Sequence, residues 1–244
     1  MFYIFNTIFY QPLLNALVVL VWALPGNNYG LAVIILTLLV NLVLLPITHR
    51  AKKSQKKIQE LEPRLRKIKS DYKDKKEEQA RLTMELYREH GINPFTGFLL
   101  LIVQIPLFIA LYMVFAKGAG FLHEDLYSFI QPLSVNGSRM FMFVDLTKPN
   151  IFLALIAAAA QYFQGALLMP KTQNAGAGDM AHMMQMQMRY VIPIVIFFIG
   201  LKFPAALALY WTTMSIFGIV HEGVVRMRAR SLTESHGSGN EGKK

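Results

Sequence analysis

The chain has 244 residues, 54% of them hydrophobic and 16% charged, with a formal net charge of +10 and a mean hydropathy of +0.36. A typical soluble domain carries about 25% charged residues, so this composition excludes one, and it excludes disordered, collagen-like and rod-like chains as well. The absence of Cys removes a disulfide framework, a thiol nucleophile, Cys-ligated metals and a lipoprotein-type anchor.

Residues 1–29 read as a helix lying on the outer face of a membrane, with a further span as the alternative. They are apolar, but Gln11, Pro12 and Asn15 interrupt them, and no basic residue precedes them as in a cleavable signal. Residues 30–48 are the first clear span, because a bilayer core needs about 20 apolar helical residues. Residues 95–116 and 151–169 are the second and third. From 183 to 222 the apolar stretch is too long for one crossing. Lys202-Phe203-Pro204 divides it into spans 183–202 and 203–222, since Pro cannot extend a helix and Lys seeks the headgroups. The expected fold is therefore all-α: a polytopic membrane bundle of five spans. Its loops are 49–93, 117–150 and 170–182, and its tail is 223–244.

Charge orients the bundle. No Lys, Arg, Asp or Glu occurs before Arg50, whereas the next 41 residues hold fourteen Lys and Arg against eight acids. Cytoplasmic loops collect Lys and Arg, which puts segment 49–93 and the basic tail in the cytoplasm and the N-terminus outside.

Within 49–93 the period changes. Ile58, Leu61, Leu65, Ile68 and Tyr72 follow a 3–4–3–4 spacing, which gives a helix an apolar seam. Glu60–Arg64, Glu62–Arg66 and Glu77–Arg81 are spaced as i,i+4 pairs. Asp71-Tyr72-Lys73-Asp74 marks a bend, and Gly91-Ile92-Asn93-Pro94 a stop. These features predict an antiparallel helical hairpin projecting into the cytoplasm. Its basic surplus suits ribosomal RNA or acidic headgroups, with free DNA excluded beside a membrane.

Polar residues in the spans fall on one side. Counted from the cytoplasmic ends at about 1.5 Å per residue, Asn41, Gln104, Gln161, Gln164, Thr212, Thr213 and Ser215 all lie in the inner half of the bilayer. Such groups are costly there unless they pair or face water. Three readings stay open on the residues alone: interhelical hydrogen bonds that hold the bundle together, a one-sided hydrated groove, and a transport path. A transport path needs polar lining in the outer half too, and the sequence offers almost none. No confident span carries a His for a Ser–His pair, and no HExxH or Gly-rich phosphate loop occurs. The chain is therefore not expected to be an enzyme or to bind a metal or cofactor.

The order of motifs carries a resemblance. Gly30-Leu31-Ala32-Val33-Ile34-Ile35-Leu36-Thr37 and Leu44-Leu45-Pro46 precede Leu61-Glu62-Pro63 and Leu86-Tyr87-Arg88-Glu89-His90-Gly91-Ile92-Asn93-Pro94. Gln104-Ile105-Pro106-Leu107-Phe108-Ile109-Ala110-Leu111-Tyr112 and Phe203-Pro204-Ala205-Ala206-Leu207-Ala208-Leu209-Tyr210-Trp211 follow. From about residue 9 to 228 the chain resembles the bacterial YidC-type membrane protein insertases (the YidC/Oxa/Alb family), in their compact five-span form. The resemblance implies an insertase and chaperone of the bacterial plasma membrane, with a hydrophilic inner-leaflet groove open to cytoplasm and lipid. The implied groove residues are Thr37, Asn41, Gln104, Gln161, Gln164, Trp211, Thr212 and Ser215. It implies as partners nascent membrane proteins, the ribosome, the Sec translocon, signal-recognition components and the phospholipid bilayer. Ribosome or targeting-factor contact would fall to Arg50, Lys52, Lys53, Lys56, Lys57, Arg226, Arg228 and Arg230. The competing class is a small-solute transporter or channel.

Two positions depart from the family pattern. Five residues before Pro46, where the family usually has Arg, this chain has Asn41; Ser215 stands where Asn is common. Two softer features remain. Met180, Met183, Met184, Met186 and Met188 form an adaptable apolar surface or a helix start in the interface. Asn174–Gly178 reads as a mobile loop and Ser231–Lys244 as a disordered tail.

Overall fold

The structure, a computed structural model, describes residues 2–93, 96–117, 126–130, 139–168 and 186–238. The chain opens with α1 (Phe2–Phe5), a π-helical turn (Asn6–Tyr10) and α2 (Gln11–Ala23), which run into one another without a break. Pro12 does not end this helix. A proline ring collides with the carbonyl four residues back; the widened turn, closed by Gln11 N–H donating to Asn6 O, absorbs the collision. The same device recurs at Gln187–Val191, where Ile192 N–H donates to Gln187 O one residue before Pro193.

After a 3-10 turn (Pro25–Asn27), with Gly26 at φ 68°, α3 runs from Tyr29 to Glu60. Asn28 Oδ1 caps it by accepting from Leu31 N–H at 3.0 Å. Sequence reading ends the first span at 48; here the helix carries on for another twelve residues. The basic segment beyond Arg50 is rich in helix-forming Lys, Gln and Ala and contains no stop signal.

Next come α4 (Glu62–Asp71) and α5 (Lys76–Glu89), with Leu61, Leu86 and Ile92 buried against Ile58, Leu65, Ile68 and Tyr87. Gln79 Nε2 donates to Lys69 O at 3.2 Å, so α5 runs back along α4. Arg66 pairs with Glu62 at 2.9 Å, but Arg81 pairs with Glu78 and Glu85 rather than Glu77. Beyond α5, Gly91 at φ 59° lets Ile92 N–H reach back to Tyr87 O at 2.8 Å, a left-handed helix ending that only glycine adopts without strain.

The remaining helices are α6 (Thr96–Ala116), α7 (Ile151–Leu168), α8 (Ile192–Gly200) and α9 (Ala205–Ser238). One small departure from an all-helical chain lies before α7, where β1 (Met140–Phe141) pairs antiparallel with β2 (Val144–Asp145). The turn between α8 and α9 falls at Leu201–Pro204, as the Lys202-Phe203-Pro204 break predicts. Helix α9 reaches Ser238, well into the segment that reads as a disordered tail. Between Ala205 and Ser238 there is no proline, and the clustered glycines that stop helices come only at Gly237 and Gly239.

α9 is the central strut. It packs on α7, α3 and α6; α8 packs on α7, and α2 and α6 on α3. One end of the bundle carries the β ribbon and the α8–α9 turn; the other leads through α3 to α4 and α5. The two are called the ribbon end and the hairpin end below. α2 belongs to the ribbon end: Asn15 Oδ1 accepts from Tyr127 N–H at 2.8 Å, and Lys117 Nζ sits 5.3 Å from the Tyr10 ring centroid.

The core at the ribbon end is dry and tight. Leu14, Leu17, Val33, Val114, Ala154, Leu207 and the 0%-exposed Leu146 fill it. Gly30 packs directly on the Phe141 ring, and Gly200 on Ala154, where a Cβ would come within 2.7 Å of the Ala154 methyl. Close glycine and alanine contacts of this kind hold membrane helices together. Outward, Leu42, Val43, Ile102, Leu155, Phe198 and Ile216 are exposed, an apolar girdle that water would not tolerate at this extent. Tyr3–Ala23 and Tyr29–Ala51 are long and apolar enough to cross a membrane, and Ile102–Ala116, Ile151–Leu167 and Arg189–Gly200 are shorter apolar helices.

Candidate substrate site

Measured from the ribbon end, the polar side chains form a layer. Asn41 lies twelve residues along α3 from Tyr29, and Gln104 twelve from Ala116, or about 18 Å at the helical rise. Gln161 and Ser215 each lie ten residues from the starts of α7 and α9, about 15 Å in. Across a hydrocarbon core of about 30 Å, this layer begins at the middle and extends toward the hairpin end.

Two pairs bridge helices within it. Ser215 Oγ hydrogen-bonds Gln161 Oε1 at 3.2 Å, joining α9 to α7, and Gln104 Nε2 donates to the Tyr210 hydroxyl at 3.2 Å, joining α6 to α9. Gln164 lays its amide against the bare Cα of Gly218, one turn further toward the hairpin end. Phe108 stacks on Trp211 with ring centroids 5.5 Å apart. The α3 residues do not join these pairs. Thr37 Oγ1 donates to Val33 O at 2.6 Å and Asn41 Nδ2 to Thr37 O at 2.8 Å, both within their own helix. Thr212 Oγ1 likewise donates to Ala208 O at 2.9 Å.

Burial divides the eight expected residues. Thr37, Thr212 and Ser215 are buried, while Asn41, Gln104, Gln161, Gln164 and Trp211 remain half-exposed. The second set keeps amide donors and acceptors accessible, and the first set lies buried behind it. Of the expected basic contacts, Arg50, Lys53 and Lys57 are exposed along the hairpin-end stretch of α3. The side chains of Lys52, Lys56, Arg226, Arg228 and Arg230 lie outside the described residues, as do those of Met180, Met183, Met184 and Met188 and the loop Asn174–Gly178.

Spacing did not reveal four participants. Tyr210 lies inside a quoted motif, but nothing in a linear pattern says that its hydroxyl meets Gln104. Gly218 is legible only once α7 is beside it. Tyr162 and Arg189 also meet, at 3.5 Å between the hydroxyl and Nη2; Arg189 falls within the expected span 183–202, and nothing in the linear pattern pairs it with α7. Away from this layer, a shallow open depression lies at the tip joining α4 to α5, lined by Lys73, Lys75, Lys76, Arg81 and the acids between them.

Comparison with known proteins assigns the family. The profile of the 60Kd inner membrane protein family matches residues 21–231. The chain belongs to the YidC-type membrane protein insertase family. It is 34% identical over 189 residues to membrane protein insertase YidC of Clostridium tetani, covering 78% of this chain and 77% of that one. With the YidC of Oceanobacillus iheyensis it shares 32% over 218 residues, covering 88% and 80%. The fold is similar, at a TM-score of 0.60 and 26% identity, to the crystal structure of an active YidC insertase with its first transmembrane domain resolved. That match covers 87% of this chain and 46% of the solved one, so the chain spans about half the length of that insertase.

Proposed function

We propose that the protein inserts hydrophobic segments of nascent proteins into the bacterial inner membrane, offering their polar flanks a hydrated groove that starts at mid-membrane. The observation that carries this reading is the one-sided polar layer: amides at Asn41, Gln104, Gln161 and Gln164 in one half of the bundle, and an Ala, Leu and Val core in the other. An unpaired polar group costs several kcal/mol in hydrocarbon. A groove reaching the middle leaves about half of a core of about 30 Å to cross, so the barrier falls without bond chemistry. In this arrangement five helices cross, α2 lies on the outer face beside the ribbon, and the hairpin and the end of α9 reach the cytoplasm. Arg50, Lys53, Lys57 and the tail arginines there meet the ribosome or targeting factors, and the protein works alone or beside the Sec translocon.

A small-solute transporter needs polar lining at both ends. Among the described residues the ribbon-end core is apolar except for single hydroxyls and Asn15, which favours the insertase.

The test is reconstitution. A single-span client with an uncharged translocated tail is presented to proteoliposomes with and without the protein, and protease protection scores insertion. The wild type should insert it, and Gln161→Leu with Gln164→Leu should not, while the variant's melting stays within about 2 kcal/mol of wild type. Equal insertion with and without protein would return the transporter to consideration. Asn41→Arg in the same assay should raise insertion of clients with acidic tails, since it places a charge where the chain has only an amide.

A further inference from the structure

Arg189 stands apart from every other basic residue among those described. It lies eleven residues from Gly200, about 17 Å from the ribbon end of α8, at the depth of Asn41 rather than in a loop. It occupies the π-helical turn Gln187–Val191, and turns of this kind concentrate at functional positions. Its guanidinium is 5.6 Å from the Tyr162 ring centroid and 5.5 Å from that of Tyr190. Its one hydrogen bond among the described residues, to the Tyr162 hydroxyl, is long at 3.5 Å, and Nε is buried without a partner. No carboxylate among the described residues pairs with it. A guanidinium has five N–H donors, and a cation at this depth is costly unless an anion meets it.

We propose that Arg189, Tyr162 and Tyr190 form a binding site for the phosphate of an inner-leaflet phospholipid in the crevice between α7 and α8. Three observations select a lipid. The face is open to the bilayer, with Tyr190, Val191, Ile194 and Phe198 exposed beside the arginine. A cation there needs a counter-charge at all times; a bound lipid phosphate supplies one permanently, whereas an entering chain supplies one only in passing. Basic pockets between helices on the cytoplasmic side bind headgroups in this way, and long side chains snorkel toward them. The Tyr162 oxygen accepts from Arg189, which leaves its O–H to donate to a phosphate oxygen beside the arginine fork.

The site rests on α8 lying in the membrane and not on the insertase reading, so its test uses no insertion assay. Native mass spectrometry of the full chain in detergent, with equimolar dioleoyl phosphatidylglycerol and dioleoyl phosphatidylcholine, reads the retained lipid. The wild type should hold one phosphatidylglycerol preferentially, and Arg189→Gln should hold it about tenfold less tightly. Tyr162→Phe, which keeps the ring and removes the hydroxyl, should lose a few-fold, and it decides the matter if the glutamine variant does not purify. Equal retention by wild type and variants would overturn the site. So would full displacement of the lipid by millimolar inorganic phosphate, which would make it a site for free anions. A third result would also overturn it: lipid retention unchanged in Arg189→Gln while a client carboxylate loses its cross-link to this position, which would give the arginine to the entering chain.

Discussion

At the ribbon end the helices touch through Gly30, Gly200, Ala154 and Ala205–Ala208, with aromatic and aliphatic side chains filling the remaining space. From mid-depth toward the hairpin end the same helices meet through Gln161 and Ser215, Gln104 and Tyr210, and Gln164 over Gly218. Lipid tails are as apolar as leucine, so membrane helices associate through close packing or through hydrogen bonds. This bundle uses the first means at one end and the second at the other. The packed half is sealed by its contacts. The bonded half is held by groups that water can also bond, so it can yield without unravelling.

That contrast can be broken most sharply at Leu146. Its side chain is fully buried under the ribbon, so Leu146→Ala should cost about 3 kcal/mol by loss of contacts and the cavity left behind. Thermal unfolding in detergent would show it, and a loss below about 1 kcal/mol would mean that the ribbon is not part of the seal. Gly30→Ala comes next. Its methyl would occupy the space of the Phe141 ring, at a cost of about 1–3 kcal/mol, and Phe141→Ala should recover most of it in a double-mutant cycle. Tyr29→Phe runs the other way. The Tyr29 hydroxyl is fully buried with no partner among the described residues, so its removal should be neutral or raise stability by about 1 kcal/mol; a loss would reveal a bond at that oxygen.

The smallest effect belongs to pH. Thr147, donating through its hydroxyl at 2.6 Å and its N–H at 3.0 Å, holds the Asp145 carboxyl below the usual range, with Lys148 and Arg139 adding charge. The unfolded chain then binds a proton more readily than the folded one. The stabilisation is complete above the ordinary aspartate pKa and is lost as pH falls through the lowered folded value. Melting followed as pH falls below 3.8 should show this loss, and Asp145→Asn should abolish that pH dependence.

Much of the architecture was legible because hydropathy and charge are read along the chain. Uncharged runs located α3, α6 and α7, the 3–4 seam located α4, and Lys202 with Pro204 located the α8–α9 turn. What was missed depends on neighbours or on local geometry. A proline usually ends a helix, so Pro12 and Pro193 concealed two π turns. Two-residue strands have no period to detect, so the ribbon left no trace in the sequence. The polar residues were found by depth, but not the division of Thr37, Thr212 and Ser215 from the half-exposed amides, because exposure depends on which helix lies alongside. Arg189 lies within the expected span 183–202, but its meeting with Tyr162 depends on α7 lying alongside, which no spacing along the chain reveals.

The first N–H groups of a helix lack partners within it, and α9 meets this need outside itself. Ala205 N–H donates to Lys148 O and Ala206 N–H to Leu146 O, each at 2.9 Å. These bonds pin the central strut to the ribbon at its root. Sliding α9 along its axis would break both at once and leave four backbone groups unpaired, whereas splaying its far end would break neither. The bundle is therefore built like a fan riveted at one end, and any widening of it must open from the hairpin end.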